Sequence, residues 1–387
     1  MRRASAKPPR GRGEEIILRG TQLERGPCCL WCRGSTPNQR KHAVKPTSER
    51  RRPVTRGDVA LHAGVSTAVV SYVVNAGPRN VAPATRERVL DAIRDLGYRP
   101  NAAARALKLG VSGIIGLVVS DNTNPFFAEY ARAVEREAAG IDLSVILTNS
   151  ALSASLEHQL VQKLVSRQVD GLLLASTDDD PDLESAKDAH IPVVLIDRAG
   201  PEEGFASVGV DFREASRTAV EHLIAHGHRS IGIISGLSGG TTTRDRELGW
   251  AEALAVAGLP EGPMVRVDFG RIGGYEAGRR LLALQDRPTA IYAISDMQAI
   301  GLLRSVHEAG VRVPEDLAVI SFDGSAESEY SWPPLTAMRQ PVAEMARAAI
   351  EALGDGMTGI TAHQTFRAEL VIRRSCGCDA PDDEVSG

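Results

Sequence analysis

Nine histidines and five cysteines offer the reactive atoms most often recruited for catalysis or metal binding, so their spacing comes first. No Ser-His-Asp or metal-ligand arrangement stands out, and His226 and His228 sit at a helix end. Gly236–Gly240 follows a strand pattern, as phosphate loops do. The Gly-x-x-x-x-Gly-Lys-Ser/Thr signature does not follow it, so the lysine that would neutralise a phosphate is missing. Cys28, Cys29 and Cys32 lie near one end of the chain, Cys376 and Cys378 near the other. A zinc ribbon folds two close pairs around one ion, and 344 positions separate Cys32 from Cys376. The expectation is no metal, no cofactor and no enzyme, with free thiols in a reducing cytosol.

The charge pattern points to a different chemistry. Residues 1–110 carry 22 Lys and Arg against 8 Asp and Glu, a net of +14; residues 111–387 carry 23 against 41, a net of −18. A basic head on an acidic body meets a polyanion with the head alone. At 387 residues and 43% hydrophobic content, two or more folded domains are expected. No apolar run approaches the roughly 18 residues of a membrane span. The basic first 25 residues lack the apolar stretch of a secretory signal, which places the protein in the cytoplasm with no membrane partner.

These side chains must be positioned by elements. Residues 1–52 are rich in Arg, Pro and Gly, show no sustained period and read as a disordered basic extension. Within them, Val44-Lys45-Pro46-Thr47-Ser48 resembles an ordinary start for the following domain, were the Val44 codon the initiator. Residues 53–99 read as a compact helical head. A helix over Arg56–Ala63 carries Val59, Ala60 and Ala63 at helical spacing. Gly64-Val65-Ser66 makes the turn, with Gly64 free to take positive φ and Ser66 able to cap the next helix. The second helix, Thr67–Val74, presents Val70, Val73 and Val74. After Asn75-Ala76-Gly77-Pro78, a third helix from about Ala84 to Leu96 turns Val89, Leu90, Ile93 and Leu96 inward and stops at Gly97. This is the helix-turn-helix plan.

From residue 113 onward, near-continuous apolar strands alternate with amphipathic helices. Strands are expected at Ile114–Val119, Ser144–Leu147, Gly171–Ala175, Pro192–Ile196, Ser230–Ile234, Ala290–Ile294 and Leu317–Phe322. Such strands imply parallel sheets covered on both faces. Roughly 260 residues exceed one doubly wound unit, so two lobes with a ligand cleft at the strands' carboxyl ends are predicted. The fold class is thus an all-α helix-turn-helix headpiece plus an α/β body of two doubly wound parallel-sheet lobes. A solute receptor shares that body, but the headpiece and the missing signal argue against one.

Val54-Thr55-Arg56-Gly57-Asp58-Val59-Ala60, Ala63-Gly64-Val65-Ser66 and Val70-Ser71-Tyr72-Val73-Val74-Asn75 closely resemble the headpiece of the lac/galactose repressor (LacI/GalR) family. Arg86-Glu87-Arg88-Val89 and Leu96-Gly97-Tyr98-Arg99-Pro100-Asn101 continue the likeness. Asn124-Pro125-Phe126-Phe127, Ile191–Arg198, Gly227-His228-Arg229, Arg312–Leu317 and Phe322-Asp323 resemble the family's body, so that the match runs over about residues 53–375. The resemblance implies a hinge helix and linker over 100–111, a two-lobed, periplasmic-binding-protein-like effector and dimerisation domain over 112–375 that the chain crosses three times, and a tail over 376–387. It implies a repressor: a homodimer on a pseudo-palindromic operator, controlled by a small, carbohydrate-like effector such as a sugar, polyol or nucleoside.

By the same resemblance, Thr67 and Ala68 face base edges with Tyr72 one turn on. Both are too small for a bidentate guanine contact, and Tyr72 stands where the family often has Arg. Thr55, Ser66, Ser71 and Asn75 match phosphate-contacting positions. Asn101–Lys108 matches the hinge helix, too short to hold alone in water, and Leu107 matches the wedge that enters the minor groove. In the body, Phe126 and Phe127 match an aromatic wall, and Asp197, Asp211 and Asp296 match ligand-side carboxylates. Arg246 matches a ligand-clamping arginine, and Phe269 is a further candidate wall. Phe212 stands where the family usually has Asn, so the effector does not transfer from relatives.

Overall fold

The computed structural model describes residues 52, 54–74, 80–99, 110–201, 204–237, 240–356 and 362–378. Contacts divide the chain into a unit up to Arg99 and a unit from Pro100.

In the first unit, α1 (Arg56–Ala63) begins at Thr55 because a capping box closes there. The Thr55 hydroxyl accepts from the Asp58 amide at 3.3 Å, and the Asp58 carboxylate accepts from the Thr55 amide at 2.8 Å. Gly64, at φ 64°, ends α1 in the left-handed region that glycine enters without strain. The chain then turns by 105° into α2 (Thr67–Val74), within the range typical of helix-turn-helix pairs. Pro83 opens α3 (Pro83–Leu96), one residue earlier than expected. Val59, Val70 and Val89 are fully buried at the junction of the three helices, each worth about 1.5–3 kcal/mol. Leu90, expected inward, is exposed, and Ala92 takes that place. The inward stripe follows residues 85, 89, 92 and 96 at helical spacing, and Leu90 falls off it.

The second unit holds two sheets. One runs in the order β11-β5-β4-β3-β1-β2, with β1 (Ile114–Val119), β2 (Ser144–Asn149), β3 (Gly171–Leu174), β4 (Val193–Ile196), β5 (Ala206–Val210) and β11 (His363–Phe366) all parallel. The other runs β12-β10-β9-β8-β6-β7. Here β6 (Ile231–Gly236), β7 (Met264–Val267), β8 (Ala290–Ala293), β9 (Ala318–Asp323) and β10 (Thr336–Arg339) are parallel, and β12 (Glu369–Val371) is antiparallel on β10. The chain passes between lobes after β5, between β10 and β11, and between β11 and β12, the three crossings implied by the resemblance. The expected strands are present within a residue or two. The five strands β5, β7, β10, β11 and β12 are short or only partly apolar and carried little periodic signal.

The elements that matter for the site are α4 (Pro125–Gly140) in the first lobe, and α7 (Phe212–Ala225), α8 (Thr241–Val256) and α10 (Asp296–Glu308) around the second. α7 and α8 touch backbone to backbone at Gly249, where a Cβ would lie 2.2 Å from the Arg213 carbonyl oxygen. That close approach sets α8 over Phe212. Among the described residues, no single helix is long and apolar enough to cross a membrane.

Candidate functional site

On the head, Thr67 and Ala68 are exposed at the start of α2, and Tyr72 is half-buried one turn on. Ser66, exposed, accepts from the Val69 amide at 3.4 Å and so caps α2 while its hydroxyl still meets solvent. Thr55 is spent on the capping box, its amide and hydroxyl both bound to the Asp58 carboxylate. Ser71 is half-buried on the same helix. Asn75, Asn101 and Leu107 lie outside the described residues.

In the second unit, a cavity of about 90 Å³ opens where strands of both sheets end at their carboxyl edges. The first lobe contributes Ser120 and Asp121 after β1, Phe126 and Phe127 on α4, Ser176 and Thr177 after β3, and Asp197 and Arg198 after β4. The second contributes Thr241, Thr242, Thr243 and Arg246 on α8, Phe269 after β7 and Asp323 at the end of β9. The mouth is bridged by Asp179, whose carboxylate accepts from the Thr241 amide at 2.9 Å, and Glu129 accepts from the Ala326 amide at 2.7 Å.

The aromatic wall forms because Asn124 caps α4 through its side chain, accepting from the Phe126 amide at 3.0 Å, with Pro125 at the first turn. Both rings therefore leave the first turn of the helix at the strand edge, edge to face with centroids 5.1 Å apart. Phe269 faces in because Gly236 leaves room for it: a Cβ there would sit 2.5 Å from its ring.

The electrostatics centre on Arg246, which is 4% exposed. Its guanidinium lies over the neighbouring rings of Phe212 and Phe322, 4.3 and 4.5 Å from their centroids. Phe212 thus supports the arginine from below, a role its sequence position alone did not disclose. Two carboxylates share this cation. Burial pushes the Asp197 carboxyl above the usual range, against the pull of Arg246 and Arg198. Burial and the neighbouring Asp296 push Asp323 well up, against Arg246. Asp197 at φ 59° and Asp323 at φ 99° are both left-handed non-glycine residues, a backbone strain that concentrates at functional sites. Two buried polar atoms from opposite lobes, Arg246 Nε and Asp197 Oδ1, have no hydrogen-bond partner among the described residues. An unmet donor and an unmet acceptor beside one cavity suit a hydroxyl or amide of a bound molecule.

Not every expected ligand group reaches the cavity. Asp211 is exposed and caps α7, accepting from the Glu214 amide at 2.8 Å, and it faces a separate groove with Phe366 and Leu370. Asp296 is 1% exposed behind the wall. It accepts from the Ser321 and Ser325 hydroxyls at 2.6 and 2.7 Å and from the Ser325 amide at 2.7 Å. Burial pushes it up to about 6 even so. As the first residue of α10 it looks at the strand interior, whereas Asp323, one strand over, closes β9 at the cavity. Asp323 had gone unassigned, although it ends a strand as Asp197 does, and that position was the available signal.

Comparison with known proteins agrees with both units. Residues 56–101 match the description of bacterial regulatory proteins of the lacI family, and residues 220–376 match a periplasmic binding protein-like domain. The HTH-type transcriptional repressor PurR of Photobacterium profundum is 37% identical over 326 residues, which are 82% of this chain and 97% of that protein. Catabolite control protein A of Priestia megaterium is 36% identical over 304 residues, 78% and 91% of the two chains. Among solved structures, a lac repressor dimer bound to operator and an anti-inducer superposes with TM-score 0.77 at 28% identity, covering 84% of this chain and 99% of that one. A complex of the transcriptional regulator CelR with cellobiose gives TM-score 0.63 at 33% identity, over 84% and 100%. Head, body and near-full-length likeness agree: the chain belongs to the lacI family of bacterial regulatory proteins and is a DNA-binding transcription regulator.

Proposed function

We propose that the protein is a homodimeric repressor, acting in the cytoplasm without enzymatic activity, whose grip on a pseudo-palindromic operator is set by a neutral, hydroxyl-rich effector in the inter-lobe cavity. The observation that carries the effector reading is that Asp197 Oδ1 from one lobe and Arg246 Nε from the other have no hydrogen-bond partner among the described residues. The lining also supports the effector's class. Asp121, Asp179, Asp197 and Asp323 line the cavity beside Arg198 and Arg246, with Arg244 3.8 Å from Asp179, so acceptors and donors for hydroxyls are interspersed. Hydroxyls of Ser120, Ser176, Thr241 and Thr243 with rings of Phe126, Phe127 and Phe269 suit a sugar, polyol or nucleoside.

On the DNA side, Thr67, Ala68 and Tyr72 would meet base edges, and Thr55, Ser66, Ser71 and Asn75 the phosphates. Residues 100–111, with Asn101 and the Leu107 wedge, would form the hinge between head and body. A thermal-shift screen of the full chain tests the effector class. Sugars, polyols and nucleosides are compared with their phosphorylated forms. A true ligand at a hundredfold excess over Kd adds about 2.7 kcal/mol. Stabilisation by phosphorylated compounds alone would overturn the neutral-effector reading.

A further inference from the structure

Away from the cavity, α7 ends in a cluster that the function described so far does not use. His222 and His226 are four residues apart, hence on one face of the helix end, with ring centroids 4.6 Å apart. The chain returns to them after β12. Cys378 Sγ lies 3.1 Å from His226 Nε2 and 3.5 Å from His222 Nε2, and Cys376 Sγ lies 3.4 Å from His222 Nε2. Gly377 between them takes φ 92°, a conformation that glycine adopts freely and that turns both thiols toward the helix. The ligand atoms of His222, His226 and Cys378 all lie within 4.8 Å of one another.

Those separations are the edges of a metal polyhedron. Tetrahedral zinc with bonds of about 2.0–2.1 Å to imidazole and about 2.3 Å to thiolate places nitrogen and sulfur ligands roughly 3.5 Å apart. We propose that His222, His226 and Cys378, with Cys376 beside them, bind a thiophilic divalent cation of the zinc class and tie residues 376–378 to the end of α7. Cys376 is held in place by Thr336, whose hydroxyl lies 3.1 Å from its sulfur. Thr336 in turn accepts from the Arg373 amide at 2.8 Å. Each thiol that ligates releases one proton to solvent, so binding strengthens as pH rises. The site sits at the far end of α7 from Phe212, about 20 Å along a 14-residue helix, and is distinct from the cavity. The sequence concealed it because its two halves are 150 residues apart and only the fold joins them.

The test uses the full chain with Cys28, Cys29 and Cys32 changed to Ser, which removes the competing thiols. After chelator treatment the protein is titrated with Co²⁺ and then Zn²⁺. The proposal expects about one ion per chain, a cobalt spectrum with a thiolate charge-transfer band, and a rise in Tm with Zn²⁺. His226→Gln alters an exposed side chain and leaves the core intact. It should weaken binding by at least about tenfold, the loss seen when even a supporting partner of a ligand is removed. Cys378→Ser should also abolish the charge-transfer band or most of it. A cobalt spectrum without thiolate character, or equal affinity in the parent and both variants, would overturn the site.

Discussion

Asp323→Asn asks what the cavity wall costs the protein when no ligand occupies it. Asp323 is 6% exposed, ends β9 at φ 99° and faces a second buried carboxylate, Asp296. Asparagine keeps the shape, tolerates positive φ and can still accept from Gln340 Nε2, now at 3.1 Å. Only the charge goes. Each proton that the folded state binds and the unfolded chain does not changes stability by up to about 1.4 kcal/mol per pH unit. The sign follows from proton counting. A carboxyl raised in the folded state holds a proton that the unfolded chain has lost, so its contribution falls as pH rises from the unfolded value through the folded one. Asp323, raised by burial and by Asp296, carries a cost of this sign. The variant should therefore unfold like wild type near pH 4 and gain on it toward pH 7, by up to about 1.4 kcal/mol per pH unit. Urea unfolding of both proteins at several pH values measures the difference directly. Parallel profiles, or a variant less stable at pH 7 than at pH 4 relative to wild type, would refute the reasoning.

Arg246→Met removes the cation that two rings and two carboxylates share, and breaking such a buried set costs about 3–5 kcal/mol; urea unfolding should show a loss of that size, with the ligand response gone as well. Gly236→Ala places a Cβ 2.5 Å from Phe269, so the ring must move into the cavity. The expected outcome is a stability loss of about 1–3 kcal/mol, effector affinity down by about a factor of ten by calorimetry, and operator affinity unchanged without effector.

Sequence patterning reached the fold wherever burial was one-sided or complete. α1 and α2 were legible to the residue because a cap, a turn glycine and valines at helical spacing coincide there. The deep strands β1, β8 and β9 were legible because both faces are covered. β11 and β12 escaped because they are edge strands of three or four residues carrying His363, Gln364 and Glu369. At the cavity, Phe126, Phe127, Asp197 and Arg246 were legible through family resemblance. Asp296 was expected at the cavity and Asp323 was not assigned, since which strand-end carboxylate turns inward depends on backbone conformation rather than on residue type. The support of Arg246 by Phe212 required the α7–α8 contact at Gly249, and the His–Cys cluster required the topology.

The most direct test of the account couples the two units in one titration. A duplex selected by the full chain from a random library is labelled, and its binding is followed by fluorescence anisotropy while the ligand that stabilises the chain is added. Wild type and Asp197→Asn are compared. The account predicts a pseudo-palindromic duplex, a change in its affinity of at least about tenfold with ligand, worth about 1.4 kcal/mol of coupling, and a variant that binds the duplex normally but ignores the ligand. A ligand that stabilises the wild-type chain yet leaves its affinity for the duplex unchanged would contradict it.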